Sequence, residues 1–512
     1  FWGVFLVILV LFVLLKLLGS VPGEKSLSFP PGVPVTPFQL LVGVLISILL
    51  LLLDTSERSR KGAKIWVFLT LILIWGITFA SWAATPFTCA DDRPGPYLPN
   101  NVCYPQVDDS VYSIGSHYIT LGRGVFNHWF TDKPFYMLFL AFTQLLAGPH
   151  IDHYLLAQTA LLALIPVVLF LLGKKFAGIS GGFLLAYSTV IMGINNIQYY
   201  ATTGGINVKL ENSEILTSLL LILFCAIFLQ YFLSQGKLRW ALLGGGVLGL
   251  ATLTRMNPVF IVPGAILFLL VVFWKHWRKL LVSSLALLIG FSIVFVPWLF
   301  FARDAQGHNY YLQKIENVLF YRYKQQSSVT DKNTTFLNAG NPAVSLVSYV
   351  EVKGTNTLSG TSEVSPKLAE NASANSSQVS NVIYHFLNNE FISIAKLPVN
   401  LRIIRMDEVL KQSLWSESHR LPFWKVNLSF ENYFALALSL LLVLTGIRFA
   451  FKGWGLVGLL PLMIQLFYHL ANGFALTSGE RYLEPVEWVT FFYFVLGIYS
   501  LYQAFIPGLK NS

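Results

Sequence analysis

The chain is 512 residues long, 55% hydrophobic and only 12% charged, with a mean hydropathy of +0.62, which excludes a soluble globule. A formal net charge of +10 would suit nucleic acid on a compact polar domain, but here the basic residues are scattered beside apolar runs. Three cysteines exclude a disulfide framework.

Apolar runs of bilayer-crossing length recur along the chain, so the expected class is an all-α polytopic membrane protein. Runs near 2–19, 38–53 and 65–83 form the first three expected spans. Phe1 to Leu18 carry no basic leader and no clear small-residue cleavage site, so they are expected to be a helix rather than a signal peptide. Arg58, Arg60, Lys61 and Lys64 separate the second and third spans and place that turn in the cytoplasm. The loop that follows, 84–150, is therefore extracytoplasmic. Pro, Gly and Asn crowd its first part, and Cys89 and Cys103 are candidates for a disulfide in an oxidising compartment.

From Asp108 to Leu121 the pattern predicts a short amphipathic helix ending at Gly122 and Gly124. The apolar run 134–146 is too short to span, and parity with the cytoplasmic pair Lys174–Lys175 requires that it not cross. It is expected as a juxtamembrane or half-inserted helix that keeps Lys133 on the face of Asp108. Spans near 153–172, 176–194, 214–233, 240–254, 258–274 and 281–301 then alternate, with Lys237, Arg239, Lys275, Arg278 and Lys279 falling inside. A polar segment, 302–430, is extracytoplasmic and carries Asn-x-Ser/Thr triplets at Asn333, Asn371, Asn375 and Asn427. Within it, His385 to Ile392 reads as an amphipathic stretch for the membrane surface. Spans near 432–448, 454–472 and 485–505 bring the total to about twelve transmembrane helices. The chain thus divides into a two-helix extension (1–64), a transmembrane core (65–301), the large loop (302–430) and C-terminal helices (431–512).

Ionisable residues are costly in this setting and mark function by default. They collect on the outer ends of spans: Asp108, Asp109, Asp132, Lys133, Glu211, Glu214, Arg255, Asp304, His308 and Arg481. The cytoplasmic ends hold little beyond lysine and arginine. Carboxylates beside cations at a membrane surface suit transfer from a lipid phosphate. One carboxylate serves as general base on an acceptor hydroxyl, and the cations stabilise charge on the departing phosphate. For Glu214, a place in the first turn of a helix is the competing explanation; for Arg255, snorkelling to the interface is.

Four stretches carry a resemblance: Asp108-Asp109-x-x-Tyr112, the later Thr131-Asp132-Lys133-Pro134, Leu253-Thr254-Arg255-x-x-Pro258, and Glu480-Arg481-Tyr482-Leu483-x-Pro485. In this order they resemble the GT-C class of membrane glycosyltransferases, and within it the protein O-mannosyltransferase and aminoarabinose-transferase group, over about residues 65–505. The resemblance implies a GT-C fold in a bacterial or archaeal cytoplasmic membrane, a polyprenyl-phosphate sugar as donor, an extracytoplasmic inverting transfer, and a protein, lipid or glycan acceptor. It implies Asp108 as the catalytic carboxylate with Asp109 assisting, and Tyr112, Lys133, Glu214, Arg255 and Arg481 as substrate-binding residues. A divalent metal on Asp132 and His308 is a further implication. The Trp-Trp-Asp signature of oligosaccharyltransferases is absent, which argues against whole-oligosaccharide transfer. A single proline after Lys133 and the 302–430 loop depart from the group's pattern and leave the acceptor open. Two other classes stay in view: a transporter, and a non-catalytic subunit that keeps the fold.

Overall fold

The computed structural model describes residue 35 and residues 37–54, 63–86, 108–126, 132–199, 207–303, 309–319, 378–398 and 430–505. The expected span near 2–19, the Cys89–Cys103 pair, Asp304, His308 and the Asn-x-Ser/Thr triplets lie outside them. The described residues are helical, with no strand among them beyond one isolated bridge between Arg303 and Asn309.

In chain order the helices are α1 (Pro37–Asp54), α2 (Ala63–Ala84), α3 (Asp108–Thr120), α4 (Pro134–Ala147), α5 (Ile151–Leu162) and α6 (Leu164–Tyr199). They continue as α7 (Ser213–Leu233), α8 (Leu238–Thr254), α9 (Ile261–Val272), α10 (Trp277–Phe301) and α11 (Tyr310–Leu319). The last are α12 (Gln378–Ala395), α13 (Phe430–Trp454), α14 (Leu460–Phe474), α15 (Glu480–Leu483) and α16 (Glu487–Phe505). Five segments among the described residues are long and apolar enough to cross a membrane: Val67–Ala84, Ile151–Ile197, Ser213–Leu233, Trp277–Phe301 and Tyr433–Phe474. Four shorter apolar helices accompany them, including Leu238–Thr254 and Asn257–Val272, which the sequence pattern treated as full spans.

Local chemistry sets the helix ends. Asp108 and Asp109 occupy the first turn of α3, where the exposed amides favour negative charge, and Gly122 ends the turn after it at φ +79°. Pro134 opens α4 with a preset φ, and Gly148, at φ +91°, closes it after 14 residues. The expected break between spans near 172–176 is a kink inside α6 at Ala177 and Gly178, the latter at φ +66°. The Lys174–Lys175 pair alone suggested a loop there; only the left-handed glycine shows that the turn is made without one.

α7 is the central helix. About 72% of its apolar window is buried inside the protein, against 11% for α2, whose apolar face belongs to the bilayer. Three glycines let α8 and α10 approach closely: a Cβ on Gly245 would fall on the Leu287 carbonyl, one on Gly290 on the Leu242 carbonyl, and one on Gly249 on Val294. Small residues at four-residue spacing make this backbone approach possible without a hydrophobic drive between helices. Gly290→Leu should destabilise the chain by about 1–3 kcal/mol through overpacking. Thermal unfolding in detergent checks this; Gly76→Leu is the control, since a Cβ at Gly76 meets nothing within 4 Å.

Two polar anchors bring the chain to α7. Gln158 of α5 donates to the carbonyls of Val208 and Leu210 at 2.7 and 2.9 Å, fixing the segment that enters the helix. The Lys209 ammonium donates to the Ala83 and Thr85 carbonyls at 3.0 and 2.5 Å, capping the negative end of α2.

The expected amphipathic stretch lies in α12: His385, Asn388, Asn389 and Ile392 are buried and the helix packs on α14, α15 and α16, while Ile383 and Leu387 are exposed. Asn389 donates to the Thr477 carbonyl at 3.1 Å, His385 Nδ1 and Ser478 Oγ lie 2.5 Å apart, and Glu390 accepts from Gln465 at 2.8 Å. The polar side chains that gave the stretch an amphipathic pattern are spent on these partners rather than on water.

Candidate active site

The N-terminus of α7, the C-terminus of α8, α3 and α15 meet at one end of the helices, and Glu214 is the point of contact. Its side chain is fully buried. Arg255, which caps α8, pairs with Glu214 Oε1, and Arg481 Nε donates to the same oxygen at 2.7 Å. Ser213 Oγ donates to the other oxygen at 3.1 Å. Arg481 reaches further, its Nη2 donating to Asp108 Oδ2 at 3.0 Å. The Asp108 side chain is half exposed, so this carboxylate stands at the mouth of the cluster.

Arg255 is 8% exposed, its guanidinium lies over the Tyr482 ring, 5.5 Å from the centroid, and its Nε is buried with no hydrogen-bond partner. Glu214 first, and then Asp108, hold the Arg481 guanidinium more firmly protonated than an ordinary arginine.

Lys133 forms the other side. Its ammonium donates to the Tyr112 hydroxyl and lies over the Tyr112 ring, 4.5 Å from the centroid. Burial lowers its pKa to about 8; Arg255 and Arg481 push the same way, against Glu214 and Asp132. Burial pushes the Tyr112 phenol well above its usual range, with Asp108, Asp132 and Glu214 adding to it, so Tyr112 is neutral. Asp132 contacts Lys314 of α11 at 2.5 Å. Burial would raise its carboxyl, but Lys314 and Lys133 outweigh that and hold it below the ordinary range.

Asp108, Tyr112, Lys133, Glu214, Arg255 and Arg481 therefore come together. Asp109 does not join them. It is 2% exposed on another face of α3, among Tyr136, Tyr154 and Glu211, with Tyr154 donating to Glu211. Neighbours i and i+1 on a helix do not share a face, and that separates the two aspartates. Residues that sequence patterns did not flag are Tyr154, Lys314 and the buried pair Lys396–Glu487, which meet at 2.9 Å. Lys314 had one legible signal, its place on the polar side of the strongly amphipathic α11.

Of the two residues expected to hold a divalent metal, His308 lies outside the described residues. Asp132 is engaged by Lys314, and no group of three His, Cys, Asp or Glu side chains among the described residues could hold an ion.

The cluster has three cations, Lys133, Arg255 and Arg481, against two carboxylates, Asp108 and Glu214. Because Lys133 loses its proton as pH rises through about 8, anion affinity should fall above that pH. Lys133→Arg should hold it at higher pH. Titrating binding of undecaprenyl phosphate in both chains measures the difference; identical profiles would remove Lys133 from the anion site.

No family model matches the chain, and no curated protein matches it. Among solved structures it is similar to the archaeal oligosaccharyltransferase AglB from Archaeoglobus fulgidus, determined with an inhibitory peptide and a dolichol-phosphate. The TM-score is 0.44 at 13% identity, over 88% of this chain and 53% of that one, so this chain spans about half the length of its neighbour.

Proposed function

We propose that the chain is a GT-C glycosyltransferase that moves a sugar from a polyprenyl-phosphate donor to an acceptor on the extracytoplasmic face, with inversion. The observation that carries this reading is the Glu214 hub: two guanidinia share one buried carboxylate oxygen, and Arg255 keeps a buried donor unspent. With Lys133, three cations face the two carboxylates Asp108 and Glu214, and an arginine fork matches phosphate geometry. Charges gather at helix ends rather than in mid-span, which favours a surface reaction over transport.

In this reading the donor phosphate lies against Arg255, Arg481 and Lys133. The acceptor hydroxyl oxygen attacks the anomeric carbon while Asp108 takes its proton. The bond from that carbon to the phosphate oxygen breaks, and its electron pair leaves with polyprenyl phosphate. The phosphate gains negative charge as it departs, and the three cations meet it there. Glu214 holds the arginines in place, Tyr112 holds Lys133, and Asp109 supports α3 from behind. No step is routed through a metal.

The test is release of polyprenyl phosphate by the purified chain in lipid nanodiscs, with a panel of polyprenyl-phosphate hexoses and pentoses as donors and with peptide, lipid and glycan acceptors. Turnover with any pair supports the reading. Silence across the panel favours a non-catalytic subunit with the same fold.

A further inference from the structure

Glu484 lies between α15 and α16, one helical turn beyond Arg481, and is 2% exposed. Both of its carboxyl oxygens are buried with no hydrogen-bond partner. Four charged groups face it, as does the Tyr468 phenol of α14. Arg481 on α15 is taken by Glu214 and Asp108, and Lys396 at the end of α12 is taken by Glu487 at 2.9 Å. The other two, Glu214 on α7 and Glu487 on α16, are themselves carboxylates. Every neighbouring cation is thus committed elsewhere.

A buried carboxylate with no counter-ion is far costlier than a buried carboxylic acid. Burial first, then Glu214 and Glu487, raises the Glu484 pKa well above the ordinary range. The consequence reaches the anion site. Its cations exceed its carboxylates by one; an ionised Glu484, a turn away from Arg481, would cancel that excess and compete for the guanidinium.

We propose that Glu484 is a positioning residue that stays a neutral carboxylic acid and so adds no third carboxylate to compete with a phosphate-headed polyprenyl lipid for Arg481. The assignment deepens the transferase reading and rests on it. It also gives the α12 clamp a purpose: Lys396 binds Glu487, so that only one of the two neighbouring glutamates has a cation.

Two measurements on the full chain in nanodiscs test it. Infrared difference spectra between the parent and Glu484→Gln should show loss of a protonated-carboxyl carbonyl band at neutral pH. Binding of undecaprenyl phosphate should agree between the two within about twofold at neutral pH, because glutamine copies the neutral acid. As pH rises, the parent should weaken relative to Glu484→Gln in step with loss of the band; Lys133 is common to both and drops out of the ratio. A parent without the band, a Glu484→Gln chain that binds tenfold or more weakly at neutral pH, or a ratio that moves while the band stays would each overturn the role. Absence of the band with binding intact defeats Glu484 alone. A band in the parent with no lipid bound by either chain defeats the donor assignment and, with it, the role of Glu484 at that donor.

Discussion

Glu214→Gln should abolish turnover and destabilise the chain by about 3–5 kcal/mol, the cost of removing one partner from a buried ion pair. Glutamine keeps the shape and loses the charge. Arg255, 8% exposed and with Nε already unpartnered, would then face Arg481 across a neutral amide. The two guanidinia would repel each other where one carboxylate oxygen had joined them. A second variant separates charge from packing. In Glu214→Gln/Arg255→Met the orphaned cation is gone as well, so stability should recover part of the loss, and the double-mutant cycle should return a coupling of about 1–3 kcal/mol. Thermal unfolding in detergent gives stability, and release of polyprenyl phosphate gives turnover. A Glu214→Gln chain as stable and active as its parent would remove Glu214 from the centre of the site.

Much of this cluster was legible in the sequence because the membrane makes charge conspicuous. Glu214, Arg255 and Arg481 stand out among leucines, and positive-inside counting assigns them to one face. Their pairing was not legible. Nothing in the spacing of residues 214, 255 and 481 says that one carboxylate serves two arginines; that follows from where α7 begins, where α8 ends and where α15 lies. Asp109 shows the opposite case, because helical geometry already set it apart from Asp108, and the structure buries it near Glu211 and Tyr154. Helix lengths were less legible. The runs near 240–254 and 258–274 form the short apolar helices Leu238–Thr254 and Asn257–Val272, because Arg255 and Pro258 end or tighten the chain where hydropathy alone continues.

Asp108→Asn should lower turnover by about 10²–10⁴-fold, the usual contribution of a positioned general base. Donor affinity should hold or improve. Asp108 is half exposed and pairs with Arg481, so removing its charge frees the Nη2 donor for phosphate. Stability should change by less than about 0.5 kcal/mol, because an exposed ion pair at a helix start contributes little. This combination of a large loss in rate, unchanged binding and unchanged folding distinguishes a base from a binding residue. Arg481→Gln should give the converse, with undecaprenyl phosphate affinity falling along with rate. Asp109→Asn should leave affinity intact and act through the stability of α3, since its carboxylate faces Tyr136, Tyr154 and Glu211 rather than the cations. Should Asp108→Asn turn over at the parental rate, the proton acceptor lies elsewhere; should it lose rate only through weaker donor binding, Asp108 orients Arg481 and does not touch the acceptor.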